Sequence, residues 1–423
     1  MRRVHFSPVD TWQFGTGTPS QAGSATTLAR SSLMPPLPSV VAGAVRASLA
    51  RARGWDGQGR WPPELDEFLG DGPSQLGALH FVGPFLTVDR GRGAELLVAL
   101  PLAARQVARS GEQGPGAGGA ELKLAVVPAG WAVGGSGTST RSVDCDLGLE
   151  VRLPVAPAGA DEVVAGAGPY LPLSKARALV EGQTVLRRDL LGMDELWRSE
   201  PRTGIERDRD RRVADDGQLF RVEHLRPVER LGDGRRDVGL AVLVGGVPDD
   251  WPRLEGLVRL GAEGRLAEVS EARVAEAAGT GQRGLGMAPS AQALDLVAKS
   301  GRAVLVALTP LWLSREAWTG QEPVPGLGSA RVVCGVTDRP ERAGGWDSLR
   351  REPVAQRSVL APGTTVYVEH ERGGDLSAAL AELAARTGVV QVGEGREMGF
   401  GAVLVGPWPG SAPQPEGNEE GAS

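Results

Sequence analysis

Lysine, cysteine, histidine and aromatic residues are all scarce in this chain of 423 residues. The two cysteines, Cys145 and Cys334, are too few and too far apart for a disulfide framework or a zinc site, so we expect a reducing compartment. Aromatic residues make up 4% of the chain, which argues against base stacking as a main source of nucleic-acid affinity. The four histidines leave few candidates for a general base.

Long apolar runs are missing as well. The longest, from Ala303 to Leu313, is about half of what a bilayer span requires. The N-terminus, Met1-Arg-Arg-Val, begins no apolar stretch of signal-peptide length. We therefore expect a cytoplasmic protein that does not enter a membrane.

Glycine and proline, by contrast, are abundant, with 61 and 31 residues, and they favour a fold of strands and turns. The length exceeds what one hydrophobic core usually supports, so about two domains are expected. A net charge of −6 argues against a protein that binds phosphates over its whole surface, and any such site must be a local cluster. All but three of the 46 basic residues are arginines, which suit phosphate binding, although a GC-rich genome gives the same bias.

Apolar periodicity predicts two similar series of secondary-structure elements. Their simplest packing is an α+β fold of two ferredoxin-like (RRM-like) β-α-β-β-α-β domains with inserted loops and a β-hairpin arm. The helices are predicted at Pro38 to Leu49 and at Asp375 to Arg386, the second capped by Asp375. The strands are predicted at residues 4–12, 80–88, 95–101, 238–244, 302–313, 331–336, 364–370 and 400–405.

Composition divides the chain into three parts. We predict an N-terminal domain at residues 1–230, which includes a flexible glycine-rich insertion near 108–121 and a hairpin arm at 198–230. A C-terminal domain at residues 231–410 follows and includes a glycine-rich loop at 392–401. The tail at 411–423 is rich in Pro, Gly and Glu and is predicted to be disordered.

The glycine-rich loop at 392–401 reads Val-Gly-Glu-Gly-Arg-Glu-Met-Gly-Phe-Gly. Glycines lack Cβ atoms, so backbone amides could turn around a phosphate, but the same residues also serve tight bends and close packing. A dinucleotide fingerprint or a P-loop would require a helix after the loop or a Gly-Lys-Ser/Thr sequence, and neither is present. The candidate contacts are Gly393, Gly395, Arg396, Gly399, Phe400 and Gly401.

The predicted hairpin arm is rich in arginine. Asp216-Gly217, just before an apolar run, indicates its turn. On an extended arm, residues two apart share a face, so alternate arginines would form one cationic edge. The nearly equal number of acidic residues is equally typical of a solvated, self-paired surface. The candidate contacts are Arg202, Arg207, Arg209 and Arg211.

Together the two segments resemble the signatures of RAMP proteins, the repeat-associated RNA-binding subunits of CRISPR effector complexes. The glycine loop matches the closing Gly-Phe-Gly of that family at residues 399–401. The hairpin matches the pattern Gly-Ile-x-x-Asp, Ala-x-x-Gly-x-Leu-Phe-x-x-Glu at Gly204, Ile205, Asp208, Ala214, Gly217, Leu219, Phe220 and Glu223.

Further motifs narrow the resemblance to the family of the third subunit of the type III-B Cmr complex, over nearly the whole chain. These motifs are Pro38 to Arg46, Gly83 to Leu86, Leu97 to Leu102, Leu260 to Arg265 and Gly344 to Trp346. The resemblance implies a non-catalytic subunit that holds the 5′ handle of the CRISPR guide RNA. It also implies docking between the large polymerase-type subunit and the backbone RAMP subunits, with target RNA contacted only indirectly.

The chain departs from the family near its N-terminus. Family members carry Phe-Arg-Asp-Gly-Arg-Pro-Phe there, whereas this chain has Phe14-Gly-Thr-Gly-Thr-Pro-Ser20, without either arginine. We predict that Arg46 or Arg265 supplies the missing contact with RNA.

Two other functions remain open. A metal-independent endoribonuclease that processes guide precursors would need a histidine beside an attacking 2′-hydroxyl, and the candidates are His5, His80, His224 and His370. A nucleotide-binding regulator would use the glycine loop. Asp144-Cys-Asp146 and Gly373-Gly-Asp375 lack the further ligands that a metal needs, so we predict no metal and no cofactor.

Overall fold

The computed structural model describes the chain in sixteen segments. They are residues 1–15, 28–30, 32–72, 75–91, 93–107, 121–128, 143–144, 150–151, 154–156, 161–162, 170–207, 214–231, 234–235, 237–273, 286–347 and 352–409. The predicted insertion near 108–121 falls almost entirely outside these residues, and the predicted tail at 411–423 lies outside them.

The helices of the described residues are α1 (Pro38–Ala52), α2 (Asp66–Leu69), α3 (Leu173–Val180), α4 (Met193–Leu196), α5 (Ala291–Ser300), α6 (Arg315–Trp318) and α7 (Gly373–Thr387). None of these helices is long and apolar enough to span a membrane.

The first strands are β1 (Arg2–Pro8), β2 (Leu28–Arg30), β3 (His80–Asp89), β4 (Ala94–Ala99), β5 (Ala104–Val107), β6 (Glu121–Leu124), β7 (Val127–Pro128), β8 (Val143–Asp144), β9 (Glu150–Val151), β10 (Pro154–Val155), β11 (Asp161–Glu162), β12 (Tyr170–Pro172) and β13 (Val185–Leu186). The later strands are β14 (Trp197–Arg207), β15 (Ala214–Pro227), β16 (Arg230–Leu231), β17 (Gly234–Arg235), β18 (Asp237–Gly245), β19 (Gly256–Arg259), β20 (Leu266–Arg273), β21 (Arg302–Ala307), β22 (Arg331–Val336), β23 (Glu341–Asp347), β24 (Glu352–Val359), β25 (Thr365–Glu369), β26 (Val390–Gln391) and β27 (Ala402–Gly406).

A seven-stranded antiparallel sheet has the order β12-β4-β3-β18-β1-β20-β19. In the central strands β3 and β18, side chains alternate between two buried faces. In β18, Leu240 and Val242 enter one core with α1, whereas Ala241 and Leu243 enter a second core on the opposite face. Burial on both faces accounts for the nearly continuous apolar sequence of this strand.

A five-stranded antiparallel sheet has the order β22-β25-β21-β27-β26. Val304 and Leu404 face the second core, which the sheet shares with β3, β4 and β18. Leu305 and Val403 face a third core, covered by α5 and α7. The described elements thus form four layers: α1, the seven-stranded sheet, the five-stranded sheet, and the pair α5 and α7.

These observations confirm an α+β fold with several antiparallel sheets and few helices, but they leave the two ferredoxin-like domains as a prediction. Most predicted strands and both predicted helices are confirmed within a few residues. The strand predicted from 302 to 313 ends at Ala307, and the closing strand begins at Ala402, not at residue 400. β18 and β20 follow residue 230 yet pair with β1, so a division at 230 would separate strands of one sheet.

The predicted cap of α7 is wrong. The helix begins at Gly373, and Arg372 occupies the N-cap position without a side-chain capping bond. Asp375 lies within the first turn, where its carboxylate is 3.3 Å from Nε of Arg372 and complements the positive end of the helix dipole. The helix therefore gains an acidic first turn instead of a side-chain cap.

Candidate nucleic-acid interface

The hairpin arm is confirmed, and its two long strands are β14 and β15. They pair from Trp197 opposite Pro227 to Ile205 opposite Leu219, and a register shift precedes the pair Arg207 and Ala214. The predicted turn at Asp216-Gly217 is wrong, because both residues lie inside β15 and residues 208–213 join the strands.

The base of the arm is anchored in the first core. Trp197 and Leu225 are buried there, and Tyr170 packs edge-on against the indole of Trp197. The backbone of Trp12 exchanges two hydrogen bonds with Leu225, at 2.8 and 2.9 Å. These contacts hold the segment after β1 against β15, and the charged residues around Asp10 are positioned as a result.

Asp10 lies at the centre of a cluster of three arginines, which we call the Asp10 cluster. Its carboxylate oxygens are 2.8 Å from Arg226, 3.2 Å from Arg202 and 3.4 Å from Arg265. Glu200 joins the cluster, at 2.6 Å from both Arg202 and Arg226. Three guanidinium groups and two carboxylates leave a net charge of +1 on these five side chains.

The pKa values in the cluster follow from these contacts. Burial alone would raise the pKa of Asp10, but hydrogen bonds from Arg226 and Arg202 outweigh it and lower that pKa below its ordinary value. Hydrogen bonds from the same two arginines lower the pKa of Glu200. Both carboxylates are therefore charged at neutral pH. All five side chains remain partly exposed, so the arginines can also reach an anionic ligand.

The structure thus brings together two predicted residues that are distant in sequence, Arg202 and Arg265. It adds Arg226 and Asp10, which the sequence analysis missed. Arg226 is the cross-strand partner of Arg198, so a correct prediction of the hairpin register would have placed Arg226 among the candidate arginines. Arg207 is at the end of β14, whereas Arg209 and Arg211 lie outside the described residues.

His224 lies directly beneath the Asp10 cluster and is fully buried. Its Nδ1 is 3.0 Å from the hydroxyl of Thr11, and its Nε2 is 3.1 Å from a carboxylate oxygen of Glu263. Desolvation and the charges of Arg202 and Arg265 lower the pKa of His224, against the opposing effect of Glu263. Glu263 has a φ of 54°, which few residues other than glycine adopt, so the loop that holds Arg265 is tightly constrained.

The glycine loop lies at the junction of the two sheets. Gly393, Gly395, Gly399 and Gly401 all have positive φ values. A Cβ at 399 would overlap the carbonyl oxygen of Gly83 in β3, and one at 401 would overlap the carbonyl of Val392. The loop needs glycine because neighbouring backbone comes so close.

The amides of the loop are largely occupied. The N–H groups of Gly393 and Gly401 donate to the carbonyls of Pro325 and Pro310, each at 3.0 Å. The amide of Glu394 donates to Trp312, and that of Gly399 donates within the loop. Three of the four glycine amides of the predicted phosphate cradle, those of Gly393, Gly399 and Gly401, therefore already have protein acceptors.

The two side chains predicted to bind RNA in this loop differ in exposure. Phe400 is buried and packs edge-on against Trp312, which excludes it from base stacking in this arrangement. Arg396 is partly exposed, and its guanidinium lies beside Gly326. Arg396 therefore remains a predicted phosphate contact with a partly exposed side chain.

Arg46, which was predicted to contact RNA, has protein partners in this structure. It is buried on α1, where Nε donates to the carbonyl of Leu69 at 2.7 Å and a terminal nitrogen donates to that of Gln75 at 3.1 Å. Its guanidinium also lies 5.0 Å from the ring centroid of Trp61. Burial lowers the pKa of Arg46 to about 10, against the effect of Asp71 and Asp347. Its role is to tie the segment after α2 to α1.

The remaining histidines lie apart from the cluster. His5 contacts the hydroxyl of Thr87 at 2.8 Å in the seven-stranded sheet, and burial lowers the pKa of both His5 and His80. His370 contacts Ser329 at 2.7 Å. Among the described residues, no group of three or more His, Cys, Asp or Glu side chains is arranged to hold a metal ion.

An α+β chain of antiparallel sheets, with an arginine-rich hairpin and a glycine loop before its last long strand, matches the features of RAMP-type CRISPR subunits. A family model described as "CRISPR-associated protein (Cas_Cmr3)" matches residues 4–408, nearly the whole chain. The chain belongs to the Cas_Cmr3 family, and it is a RAMP-type subunit of the type III-B Cmr complex.

Similar solved structures carry titles from the same system. A chain of the "Type III-B Cmr-beta bound to cognate target RNA and AMPPnP, state 1" is 13% identical, with 86% of each chain covered and a TM-score of 0.45. A chain of the complex "bound to cognate target RNA" is 14% identical, with the same coverage and TM-score. A chain of its apo state is 11% identical, covers 64% of this chain and 98% of its own length, and has a TM-score of 0.25. No curated protein matches the sequence.

Proposed function

We propose that this chain is a non-catalytic RNA-binding subunit that holds the 5′ handle of the guide RNA in a cytoplasmic Cmr complex. It would also connect the large polymerase-type subunit to the backbone RAMP subunits. Family membership supports the assignment to the complex. The observation that carries the RNA-binding role is the Asp10 cluster, where arginines from the hairpin and from the 260–265 loop converge.

The cluster suits a phosphate for electrostatic reasons. Arg202, Arg226 and Arg265 together offer more donors than Asp10 and Glu200 accept, and arginine forks pair well with phosphate oxygens. A phosphate that binds here competes with the carboxylate of Asp10 for the same donors. The carboxylates therefore hold the arginines in position before RNA binds and limit binding to ligands with sufficient negative charge.

This competition gives a matched pair of variants. Arg226→Glu reverses one charge of the cluster and should reduce guide retention at least tenfold. Asp10→Asn removes a competing carboxylate and should tighten binding of a synthetic handle RNA to the full-length chain, with a steeper dependence on salt. If both variants only lower stability and neither changes affinity per folded molecule, the cluster is structural and the proposal fails.

The glycine loop has a smaller part in this proposal than its sequence suggests. Because most of its amides are occupied and its glycines lie against neighbouring backbone and side chains, we assign the glycines to packing and retain only Arg396 as an RNA contact. Arg207 at the end of β14 is the corresponding contact on the arm. Arg396→Glu and Arg207→Glu should each reduce guide retention, and normal loading of both variants would show that neither residue contacts RNA.

We also propose that the chain consists of two ferredoxin-like units. The order β22-β25-β21-β27, with α7 between β25 and β27, is the order that a β-α-β-β-α-β unit forms. In the seven-stranded sheet, β18 lies between β1 and β3, so the first unit is elaborated. We place the division between β20 and α5 instead of at residue 230, because β20 completes the sheet of β1.

The decisive experiment is co-expression with the other subunits, followed by sequencing of the 5′ ends of co-purified RNA. A common repeat-derived handle that is lost in Arg226→Glu would support the proposal, and random RNA would contradict it. The endoribonuclease alternative predicts metal-independent cleavage of repeat RNA by the purified chain. Cleavage that is abolished by replacing His5, His80, His224 or His370 with Ala, with normal folding, would replace our proposal by that alternative.

A further inference from the structure

Three of the five large hydrophobic residues exposed in the described part of the chain lie together at one edge of the seven-stranded sheet. They are Val9, Leu257 and Leu266, with exposed fractions of 60%, 65% and 39%. The carbonyl of Leu266 accepts a hydrogen bond from the amide of Val9 at 3.1 Å, and Leu266 faces Arg259 across the strands. Single exposed apolar residues need no explanation, whereas a group of them marks an interaction surface.

The strand at this edge is β19, and among the described residues its only partner is β20. The amide of Leu260 donates to Arg265 at 2.9 Å, on the side of β20. Amides alternate between the two sides of an antiparallel strand, so those of Leu257 and Arg259 point to the open edge. An open edge is a template for another strand, and proteins usually block it with lysine, proline or a bulge. At the edge formed by β19, an exposed leucine, Leu257, is found instead.

The edge strand is held rigidly in place. Val258 and Ala267 are cross-strand partners, and both are buried in the first core. Leu257 and Arg259 consequently share the opposite, exposed face of β19, two residues apart. An incoming strand would meet a preformed surface and would lose little free energy to ordering it.

Two arginines, Arg51 and Arg259, lie beside the edge, and the exposed Glu268 of β20 faces Leu257. A cleft of about 350 Å³ is lined by Leu257, Leu266, Arg51, Arg259 and residues 56–58. Among the described residues, neither arginine forms a salt bridge, and the guanidinium of Arg51 lies over the ring of Trp55 at 5.4 Å. The one carboxylate of the cleft, on Asp56, already accepts a hydrogen bond from the amide of Gln58 at 2.8 Å.

We propose that the edge of β19 binds an extended segment of another protein subunit, which adds to the sheet as a further strand. The segment carries an acidic and an aliphatic residue two positions apart, to face Arg259 and Leu257. Its backbone pairs with the open edge, and these two side chains give selectivity. A peptide strand fits better than RNA, because the edge offers backbone pairing and leucines and the cleft exposes no aromatic face for stacking. The inference rests on the proposed function only for the source of the partner, the same complex.

A photocrosslink tests this proposal in the full-length chain, co-expressed with the other subunits and the guide. Benzoylphenylalanine replaces Leu257, and the cross-linked peptide is identified by mass spectrometry. We expect one segment of a different subunit, with Asp or Glu two residues from Leu, Ile or Val. Cross-links to RNA, to a second copy or within the chain, or no cross-link, would each overturn the proposal. The same probe at Trp346, which is 61% exposed on β23, is the matched control and should not capture that segment.

A charge reversal completes the test. Arg259→Glu should lower the cross-link yield at least fivefold, and replacement of the partner's acidic residue by lysine should restore it. An unchanged yield would overturn the assigned pairing. The 5′ ends of the co-purified RNA are read from the same preparations. If the RNA keeps its normal 5′ handle while the cross-link is lost, protein docking and RNA binding are separate. If the handle is lost while the cross-link remains, the proposed function is contradicted and the docking surface is still supported.

Discussion

Replacement of Arg46 should destabilise the fold without a specific loss of RNA. In Arg46→Met the aliphatic stem remains but the guanidinium is removed, so the carbonyls of Leu69 and Gln75 lose their donor. The contact with the face of Trp61 is lost as well. A buried acceptor left without a partner costs about 1 to 2 kcal/mol, and a cation–π contact contributes about 0.5 to 1 kcal/mol. We expect the free energy of unfolding to fall by about 3 to 5 kcal/mol in total.

The assay is thermal unfolding together with guide loading per folded molecule. If the whole chain unfolds in one transition, the loss corresponds to a decrease in Tm of about 3 to 6 °C. Arg53→Met is the matched control, since Arg53 is exposed at the end of the same helix. Hydrogen exchange should increase between residues 66 and 79 in the Arg46 variant alone. An unchanged Tm combined with lost guide loading would refute the structural role and restore Arg46 as an RNA contact.

Three further predictions concern backbone strain and pH. Gly399→Ala should lower the free energy of unfolding by at least about 1 to 3 kcal/mol in a urea titration, because the positive φ of Gly399 and the nearby carbonyl of β3 exclude a Cβ. The control Gly374→Ala, with open space around this position in α7, should be neutral or stabilising. Burial lowers the pKa of His224 below 6.5, so its stabilisation is complete above pH 6.5 and is lost as the pH falls through the folded value; NMR titration should show this lowered pKa. Because the pKa values of Asp10 and Glu200 are lowered, the stability that these carboxylates contribute is present at a pH above the ordinary carboxyl pKa and is lost as the pH falls through the folded-state pKa values. Hydrogen exchange at the base of the arm should therefore increase at acidic pH. The double variant Asp10→Asn, Glu200→Gln should not show this increase.

Local patterns in the sequence predicted the local structure well. Strands such as β22 and the long helix α7 follow directly from side-chain periodicity, and the arm follows from the resemblance of its motif. The pairing of β1 with β18 and β20 could not be predicted, because strand partners more than 200 residues apart leave no signal in local periodicity. The same limit explains why the division at residue 230 cuts through one sheet.

The candidate site was predicted only in part, for a similar reason. Arg202 and Arg265 could be proposed from motifs, whereas their convergence on Asp10 depends on the path of the chain after β1. Residue type alone could not separate the partly exposed Arg202 from the buried Arg46, because the burial of each arginine depends on neighbours elsewhere in the sequence. In the glycine loop the sequence suggested a ligand site, whereas the structure shows that glycine is needed at these positions because neighbouring backbone comes too close for a Cβ.

The position of β1 has a consequence for synthesis of the protein. Its two partner strands end at Gly245 and Arg273, so the first strand leaves the ribosome long before either edge can be covered. At about 5 to 20 residues per second, β1, with its core residues Val4 and Phe6, waits for at least roughly ten seconds with unpaired backbone. Slow, non-local closure of this kind exposes the nascent chain to aggregation, so its yield in cells should depend on chaperones that bind β1 until its partners are made.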